Sequence, residues 1–238
     1  MLQTERKTPF AFLSGNALKI IAAISMLADH VGFLFFPQTE WLRILGRLAF
    51  PIFAFMIAQG CKYARSRLRY FLSVFLLGTV CQIVYSIAGS DGRMNILITF
   101  SLSIALVCLL QTAKEHKNIG WWVIFAAAIG GCWLLLRYIW VDYGFWGVMV
   151  PVFASLFQTR RGLPASAYDR NSVHIATLAM GLILLACSIG GIQFYGLLAI
   201  PLLLLYSGKR GNWNLKYFFY LFYPLHLALL QIIAWIIA

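Results

Sequence analysis

Charged residues are scarce in this sequence, and acidic residues are the scarcest of all. Asp and Glu together supply 7 of the 238 residues, and all charged types together supply 11%. Soluble globular domains carry about 25% charged residues, so this composition excludes a water-soluble domain. The longest polar interruption, about residues 158–172, is far shorter than an ordinary domain. We therefore expect residues 1–238 to form a single integral-membrane domain with no separate soluble domain.

Cysteine is also sparse, and its spacing disfavours metal or disulfide chemistry. The 5 cysteines are odd in number, and no two of them have the CxxC spacing. Each falls in or beside an apolar run, where a free cysteine usually packs as a small hydrophobe. No metal is expected.

A continuous basic surface is missing too, although the formal net charge is +12. Nucleic-acid-binding domains concentrate Lys and Arg on one face, whereas here they are spread over several short loops. Nucleic acid is therefore excluded as a partner. Dispersed loop charge is typical of membrane proteins, so the expected surrounding is a lipid bilayer.

Apolar residues are abundant: they make up 62% of the chain, and the mean hydropathy is +0.83. A helix needs about 20 apolar residues to cross a bilayer. The apolar runs predict an all-α fold, a polytopic transmembrane helical bundle of about nine spans. Two of the runs are short for a bilayer, so a count of eight or ten spans is also possible. The predicted spans are 18–36, 43–61, 69–87, 95–112, 121–139, 144–158, 172–189, 192–207 and 217–237.

The loop charges give these spans a direction. Of the 19 basic residues, 14 fall in loops on one side of the predicted bundle. Cytoplasmic loops carry the excess of Lys and Arg, so we expect a cytoplasmic N-terminus and a multi-pass protein of the bacterial inner membrane. The first apolar run lacks a small-x-small cleavage site, which favours a retained span over a signal peptide. The 14 residues are Arg6, Lys7, Lys62, Arg65, Arg67, Arg69, Lys114, Lys117, Arg160, Arg161, Arg170, Lys209, Arg210 and Lys216.

The first span, Leu18–Phe36, contains three ionisable residues, which are Lys19, Asp29 and His30. An ionisable side chain in hydrocarbon costs several kcal/mol, so such residues usually have a function. Lys19 and His30 are about three helical turns apart and therefore share one face, roughly 16 Å from each other. We place Lys19 near the cytoplasmic surface and His30 near the midplane. Snorkelling of Lys19 to the lipid headgroups is an alternative of equal weight.

Two other spans place polar residues near this face. Tyr223 and His226 in the last span lie about ten residues from its cytoplasmic end. His30 and His226 are then both roughly 15–18 Å deep in the membrane, which predicts that they share a site. A core histidine bonded to a carbonyl is the alternative for His226. Arg47 in span two is too deep to reach the surface, so we expect it to pair with Asp29, with Asp142 or with an anionic ligand.

Together these residues favour group transfer. A neutral imidazole can remove a proton from a hydroxyl or an amine near neutral pH. A basic residue near the cytoplasmic surface suits the phosphates of a cytosolic ligand. The pattern therefore favours an enzyme whose donor enters from the cytoplasm.

Five blocks of the sequence resemble the TraX family. In family order from Leu18 to Leu230, they are LKIIAAISMLADHVG, LRILGRLAFPIFAFMIAQGCKYARSRLRYFL, NILITFSLSI, VDYGFWGV and KYFFYLFYPLHLALL. Lys19 followed by ten residues and His30 also resembles the Arg/Lys-x10-His element in the first span of acyltransferase-3 membrane proteins. Those proteins commonly have Arg at the first position. Lys19 keeps the charge and loses the fork geometry that contacts a phosphate twice.

TraX-like proteins are associated with N-terminal acetylation of conjugative pilin. The resemblance implies acetyl-CoA as the donor, His30 as the general base, Asp29 as a residue that orients or tunes it, and Lys19 as a ligand of the CoA phosphates. It also implies a substrate chamber lined by Arg47, Asn95, Asp142, Tyr143, Tyr223 and His226.

We therefore expect a membrane-embedded O- or N-acetyltransferase that moves an acetyl group from cytosolic acetyl-CoA to an envelope acceptor. The acceptor would be a pilin N-terminus, a glycan or a lipid. Two alternatives come from other classes: a small proton-coupled transporter and a non-catalytic membrane assembly factor. The transporter is disfavoured because the sequence shows no internal repeat.

Overall fold

The computed structural model describes residues 11–87, 92–213 and 215–237, so Arg6 and Lys7 of the charge pattern lie outside the described residues. The described chain is helical. In chain order its elements are α1 (Gly15–Phe35), α2 (Glu40–Gly46), α3 (Ala49–Tyr63), α4 (Arg67–Ile87), α5 (Ile96–His116), α6 (Ile119–Leu135), α7 (Gly144–Ala154), α8 (Asn171–Ile189), a 3-10 helix (Gly191–Leu198), α9 (Ala199–Leu204) and α10 (Lys216–Ile237).

Side-chain caps account for where several helices begin. At α1 the hydroxyl of Ser14 accepts a hydrogen bond from the backbone N–H of Ala17 at 3.1 Å. At α6 the side chain of Asn118 accepts from the N–H of Gly120 at 2.8 Å. The first N–H groups of a helix have no partner within it, and a polar residue at the N-cap satisfies one of them.

The helices confirm the polytopic bundle. Six segments of the described chain are long and apolar enough to cross a membrane, and α2 and α3 together form one of them, Glu40–Tyr63. Three shorter apolar segments, Ile119–Leu135, Gly144–Ala154 and Gly191–Leu204, correspond to the other three predicted spans. The nine predicted spans therefore each match one apolar helical segment, with ends that differ by a few residues.

Three of the loops that the charge pattern placed on one side meet at one end of the bundle: those after α3, after α5 and before α8. Lys62 Nζ, just before the loop that follows α3, lies 2.7 Å from Asp169 Oδ1, in the loop before α8. Arg67 at the start of α4 pairs with Glu115 near the end of α5. The side of the membrane that this end faces stays a prediction.

The third helix is the centre of the bundle. Ile52, Ala54, Phe55 and Ala58 of α3 are fully buried, and α3 contacts α1, α5, α7, α8 and α9. Outside this core, α10 packs against α1 and α4. The space between α1, α3, α4, α5 and α10 holds the candidate site described next.

Candidate active site

The two membrane-embedded histidines are in direct contact. His30 Nδ1 from α1 lies 3.0 Å from His226 Nε2 from α10, and the two rings stack with centroids 5.1 Å apart. This confirms the prediction that both histidines lie at one depth and converge. The residues are 196 positions apart in the chain, so only the packing of α10 on α1 brings them together.

A backbone carbonyl determines where the protons of this pair lie. The second ring nitrogen of His226, Nδ1, lies 2.7 Å from the carbonyl oxygen of Phe222, one turn earlier in α10. A carbonyl can only accept, so His226 Nδ1 carries a proton, and in the neutral ring Nε2 is then an acceptor. His30 Nδ1–H therefore donates to His226, which leaves the lone pair on His30 Nε2. That nitrogen can act as a base.

Asp29 pairs with two arginines, Arg43 within α2 and Arg47 at the C-cap of α2. Its Oδ1 lies 2.5 Å from Arg47 Nη2 and 3.4 Å from Arg43 Nε. Arg47 was expected to pair with Asp29, with Asp142 or with an anionic ligand, and the structure shows the pairing with Asp29, which is the counter-ion in this cluster. Among the described contacts, His30 forms its side-chain hydrogen bond with His226, and it forms none with Asp29. An orienting role of Asp29 stays a prediction.

Arg47 also links the cluster to two more distant elements. Its Nη1 lies 3.4 Å from the hydroxyl of Tyr143 and 3.4 Å from Oε1 of Gln193 in the 3-10 helix. Tyr143 has a positive φ of 61°, which is rare for a residue with a side chain, and its ring stacks on Phe50 at 4.2 Å. The packing of this loop therefore holds Tyr143 against Arg47 at a cost in backbone conformation.

Asp142 and Asn95 both form hydrogen bonds near the start of α5. The backbone carbonyl of Asp142 accepts from the hydroxyl of Thr99 at 2.9 Å. Asn95 is fully buried and caps α5 by accepting from the N–H of Leu97, while its amide donates to the carbonyl of Gly78 at 2.8 Å. The structure therefore places Asn95 in a helix-capping network. It joins neither histidine through any contact of the described residues.

A cavity of about 260 Å³ lies against α1, and neither His30 nor His226 is among the residues that line it. At one end it is lined by Lys19 and Arg210, and at the other by Phe222 and Tyr223. The rings of Phe222 and Tyr223 contact the ring of His226, with centroids 4.8 and 5.5 Å away. Lys19 forms no ion pair with a described acidic residue, and its Nζ lies 5.9 Å from the ring centroid of Phe219. Its charge is thus available to a ligand in the cavity.

Several of these residues were missed from the sequence. Gln193 is the polar residue of an otherwise apolar run, and that isolation was a usable signal for a buried partner. The position of Arg43 on the same helical face as Arg47 is visible in the sequence, but its pairing with Asp29 was not predicted. No sequence signal identifies Arg210 or Phe222, because their positions at the cavity follow from how the last loop and α10 pack.

These features define the class of protein: a multi-pass helical membrane protein with a histidine pair beside an internal cavity that is basic at one end. The sequence model of the TraX protein family matches residues 14–234, so the chain belongs to the TraX family.

Three relatives accompany this match. A probable fimbrial assembly protein FimC of Dichelobacter nodosus is 29% identical over 91% of this chain and 94% of its own length. Protein TraX of Escherichia coli is 26% identical over 50% of this chain and 46% of its own length. An uncharacterized protein of Rickettsia prowazekii is 31% identical over 43% of this chain and 38% of its own length. No solved structure matches the chain significantly.

Proposed function

We propose that this protein is an acetyltransferase of the bacterial inner membrane that moves an acetyl group from acetyl-CoA to an amine or hydroxyl of an envelope acceptor. One observation carries the proposal: Phe222 and Tyr223, which contact the ring of His226, line one end of a cavity whose other end is lined by Lys19 and Arg210. His226 in turn contacts His30. Such a cavity suits a donor with phosphates at one end and a thioester at the other. The N-terminus faces the cytoplasm in this proposal, so the donor enters from there.

In the reaction, His30 acts as the general base. The acceptor nitrogen or oxygen forms a bond to the acetyl carbonyl carbon while its proton moves to His30 Nε2. The carbon–sulfur bond then breaks, and the CoA thiolate leaves and takes that proton. General-base catalysis by a histidine contributes about 10²–10⁴-fold to a rate. Tyr223 lines the cavity and contacts the ring of His226, so its hydroxyl is the proposed donor to the developing oxyanion.

Lys19 is the proposed contact for the phosphates of the donor. Lys19, Met26 and His30 are spaced seven and four residues apart, so they follow one face of α1. Lys19 and Met26 line the cavity. The axial distance from Lys19 to His30 is roughly 16 Å at 1.5 Å per residue, so the face runs from the proposed phosphates to the proposed thioester.

The relatives support an acceptor of the cell envelope. One is named a probable fimbrial assembly protein, and another is named TraX. A pilin amine is therefore one candidate acceptor, and a glycan or a lipid is another. The name fimbrial assembly protein also favours a second function, that of a non-catalytic assembly factor. In such a protein the polar residues within the membrane would join helices.

The test uses the full-length protein and its His30→Ala variant. Membrane vesicles that contain either protein receive acetyl-CoA labelled in the acetyl group, and transfer of label to proteins, glycans and lipids is measured. We expect label with the wild type and at least a hundredfold less with His30→Ala, at equal amounts of folded protein. Full activity of a folded His30→Ala variant would remove the proposed base. His116→Ala, which changes a histidine distant from the pair, is the matched control.

Ligand stabilisation separates the enzyme from the assembly factor. A ligand that binds only the folded state raises its stability, by about 2.7 kcal/mol at a hundred times the dissociation constant. Purified protein should therefore unfold at a higher temperature with CoA or acetyl-CoA. No stabilisation at millimolar concentrations of either ligand would favour the assembly factor.

A further inference from the structure

A second cavity lies at the N-terminal end of α1, outside the proposed reaction site. Its volume is about 550 Å³, and it is lined by the first residues of α1 and by the loop between α9 and α10. No described residue that lines it is acidic. Its lining includes Phe12, Ser14, Asn16, Lys209, Arg210 and Trp213.

The wall of this cavity is held in place by hydrogen bonds. The N–H groups of Gly15 and Asn16 donate to the carbonyls of Lys209 and Arg210 at 2.8 and 2.9 Å. The side-chain amide of Asn16, which is 7% exposed, donates to the carbonyl of Trp213 at 2.6 Å. These bonds fix the backbone of the loop and leave the side chains of Lys209 and Arg210 exposed to solvent.

Close packing keeps the loop against α1. Gly211 has a φ of 95°, a conformation that glycine adopts readily. A Cβ at this position would lie 2.9 Å from the hydroxyl oxygen of Ser14 and 3.2 Å from Nδ2 of Asn16. The loop is therefore built to approach α1 closely.

The two cavities share part of their lining. Asn16 and Arg210 line both, so the second cavity is a vestibule next to the Lys19 end of the first. A long ligand whose narrow arm lies in the first cavity would place its other end in the vestibule.

The vestibule offers the chemistry that a phosphorylated purine nucleotide needs. Lys209 and Arg210 supply positive charge for phosphate groups. Trp213 and Phe12 are 69% and 71% exposed, so each presents a free ring on which a base can stack. Arginine also binds phosphate through two parallel hydrogen bonds, which Lys19 cannot do.

We propose that this vestibule binds the 3′-phosphorylated ADP portion of an acyl-CoA donor, with Lys209 and Arg210 on its phosphates and Trp213 against its adenine. This proposal rests on the proposed function for the identity of the donor. It assigns the nucleotide to residues about 190 positions away from Lys19 in the chain.

The test compares two donors that differ only in the nucleotide. Acetyl-CoA and S-acetyl-pantetheine are given to the full-length protein in nanodiscs, and KM and kcat for acetyl transfer to the membrane fraction are measured. We expect Lys209→Ala and Trp213→Ala each to raise the KM for acetyl-CoA roughly tenfold with kcat unchanged. Neither variant should change the kinetics with S-acetyl-pantetheine.

Two matched controls lie away from the vestibule. Arg161→Ala removes an exposed cation from another loop, and Trp140→Ala removes a tryptophan that is 66% exposed. Both should leave KM for acetyl-CoA unchanged. An equal effect of Lys209→Ala on the two donors, or no effect on either, would overturn the vestibule proposal.

Direct binding of 3′,5′-ADP makes the test independent of acetyl transfer. We expect the wild type to bind this nucleotide and Lys209→Ala to bind it about tenfold more weakly. Acetyl transfer without 3′,5′-ADP binding would refute the vestibule and leave the proposed function intact. Binding of 3′,5′-ADP without acetyl transfer would support the vestibule and contradict the proposed function.

Anionic lipid is the other source of phosphate at a membrane surface. The kinetic comparison is therefore run in nanodiscs of phosphatidylcholine alone and with added phosphatidylglycerol. We expect the tenfold effect of Lys209→Ala in both. An effect that appears only with phosphatidylglycerol would show that these residues bind lipid headgroups instead.

Discussion

Gly46 and Asp29 are in contact where α2 crosses α1, and no side-chain carbon fits between them. A Cβ at position 46 would lie 2.3 Å from the Cβ of Asp29. The Cβ position is fixed by the backbone, so a change of rotamer at Asp29 cannot relieve this overlap. The close approach lets Asp29 reach Arg47 Nη2 at 2.5 Å, because it brings α1 against the end of α2.

The first prediction concerns this contact. Gly46→Ala should destabilise the protein by about 1–3 kcal/mol, because added atoms in a filled interface force the helices apart. Thermal unfolding of the purified protein in detergent measures the loss. Gly131→Ala in α6 is the control, since its Cβ would meet no described atom within 4 Å, and alanine there should be neutral or slightly stabilising. Equal stability of the Gly46 and Gly131 variants would contradict the prediction.

The second prediction concerns the ion pair itself. Asp29→Asn leaves Arg43 and Arg47 without their shared carboxylate and should cost about 3 kcal/mol, whereas Arg47→Gln should cost less because Arg43 remains near Asp29. The double variant should cost less than the sum of the two single variants, since neither charge of the pair is then left alone. A double-mutant cycle from unfolding measurements gives this coupling. Costs that add within about 0.5 kcal/mol would show that the pair has no net interaction.

Activity of the same double variant decides the role of Asp29. If Asp29 acts through Arg47 alone, Asp29→Asn/Arg47→Gln should transfer acetyl groups as fast as Arg47→Gln does, at equal amounts of folded protein. If Asp29 also tunes His30, the double variant should be slower than Arg47→Gln. We expect the first result, because the described side-chain hydrogen bond of His30 is with His226 and not with Asp29.

The sequence was sufficient for features that depend on local pattern. The apolar runs predicted every helical segment of the described chain, and helical rise alone placed His30 and His226 at one depth. The depth of Arg47 and the cost of a buried charge were enough to predict a partner for it. Each of these inferences uses one span at a time.

The missing information concerned which helices pack together. Gln193 and Arg47 are 146 positions apart, and their contact depends on the 3-10 helix lying against α2. The family resemblance implied a place for Asn95 in the chamber. Its buried amide binds Gly78 and Gln82 of α4, and a single sequence does not reveal these partners. The cavity likewise forms only when five helices are assembled.

The third prediction is a pH dependence at the loop before α8. Burial raises the pKa of Asp169, but the neighbouring His174 and Lys62, whose nitrogens lie 3.1 and 2.7 Å from its Oδ1, outweigh it. The pKa of this carboxyl is therefore lowered from its usual value near 3.8. A lowered pKa means that the charged form stabilises the fold. The stabilisation by the Asp169 carboxylate is complete above the ordinary pKa of Asp. It is lost as the pH falls through the lower pKa that Asp169 has in the folded protein.

The measurement compares thermal unfolding of the wild type and Asp169→Asn across pH. Asp169→Asn should be the less stable protein at about pH 6, and the difference should shrink below about pH 4. Glu40→Gln, which changes an exposed carboxylate, should cost no more than about 0.5 kcal/mol. A stability difference that stays constant with pH would assign the effect of Asp169 to packing.

The fourth prediction separates two ways in which His226 can serve His30, and it rests on the proposed function. His226 Nε2 accepts from His30 Nδ1–H, so it orients the base and can also take up a proton when His30 becomes charged. The side-chain oxygen of His226→Gln is as many bonds from the backbone as Nε2, and it can accept the hydrogen bond but cannot take a proton. His226→Leu does neither.

For a purely orienting His226, the Gln variant should keep kcat within about tenfold of the wild type, while the Leu variant should lose about a hundredfold. The KM for acetyl-CoA should be unchanged in both, because His226 is distant from the Lys19 end of the cavity. We expect this pattern, since the Phe222 carbonyl already fixes the proton on His226 Nδ1 and leaves Nε2 as an acceptor. An equal, large loss in folded Gln and Leu variants would instead show that His226 must receive the proton. Wild-type activity of His226→Leu would exclude both roles.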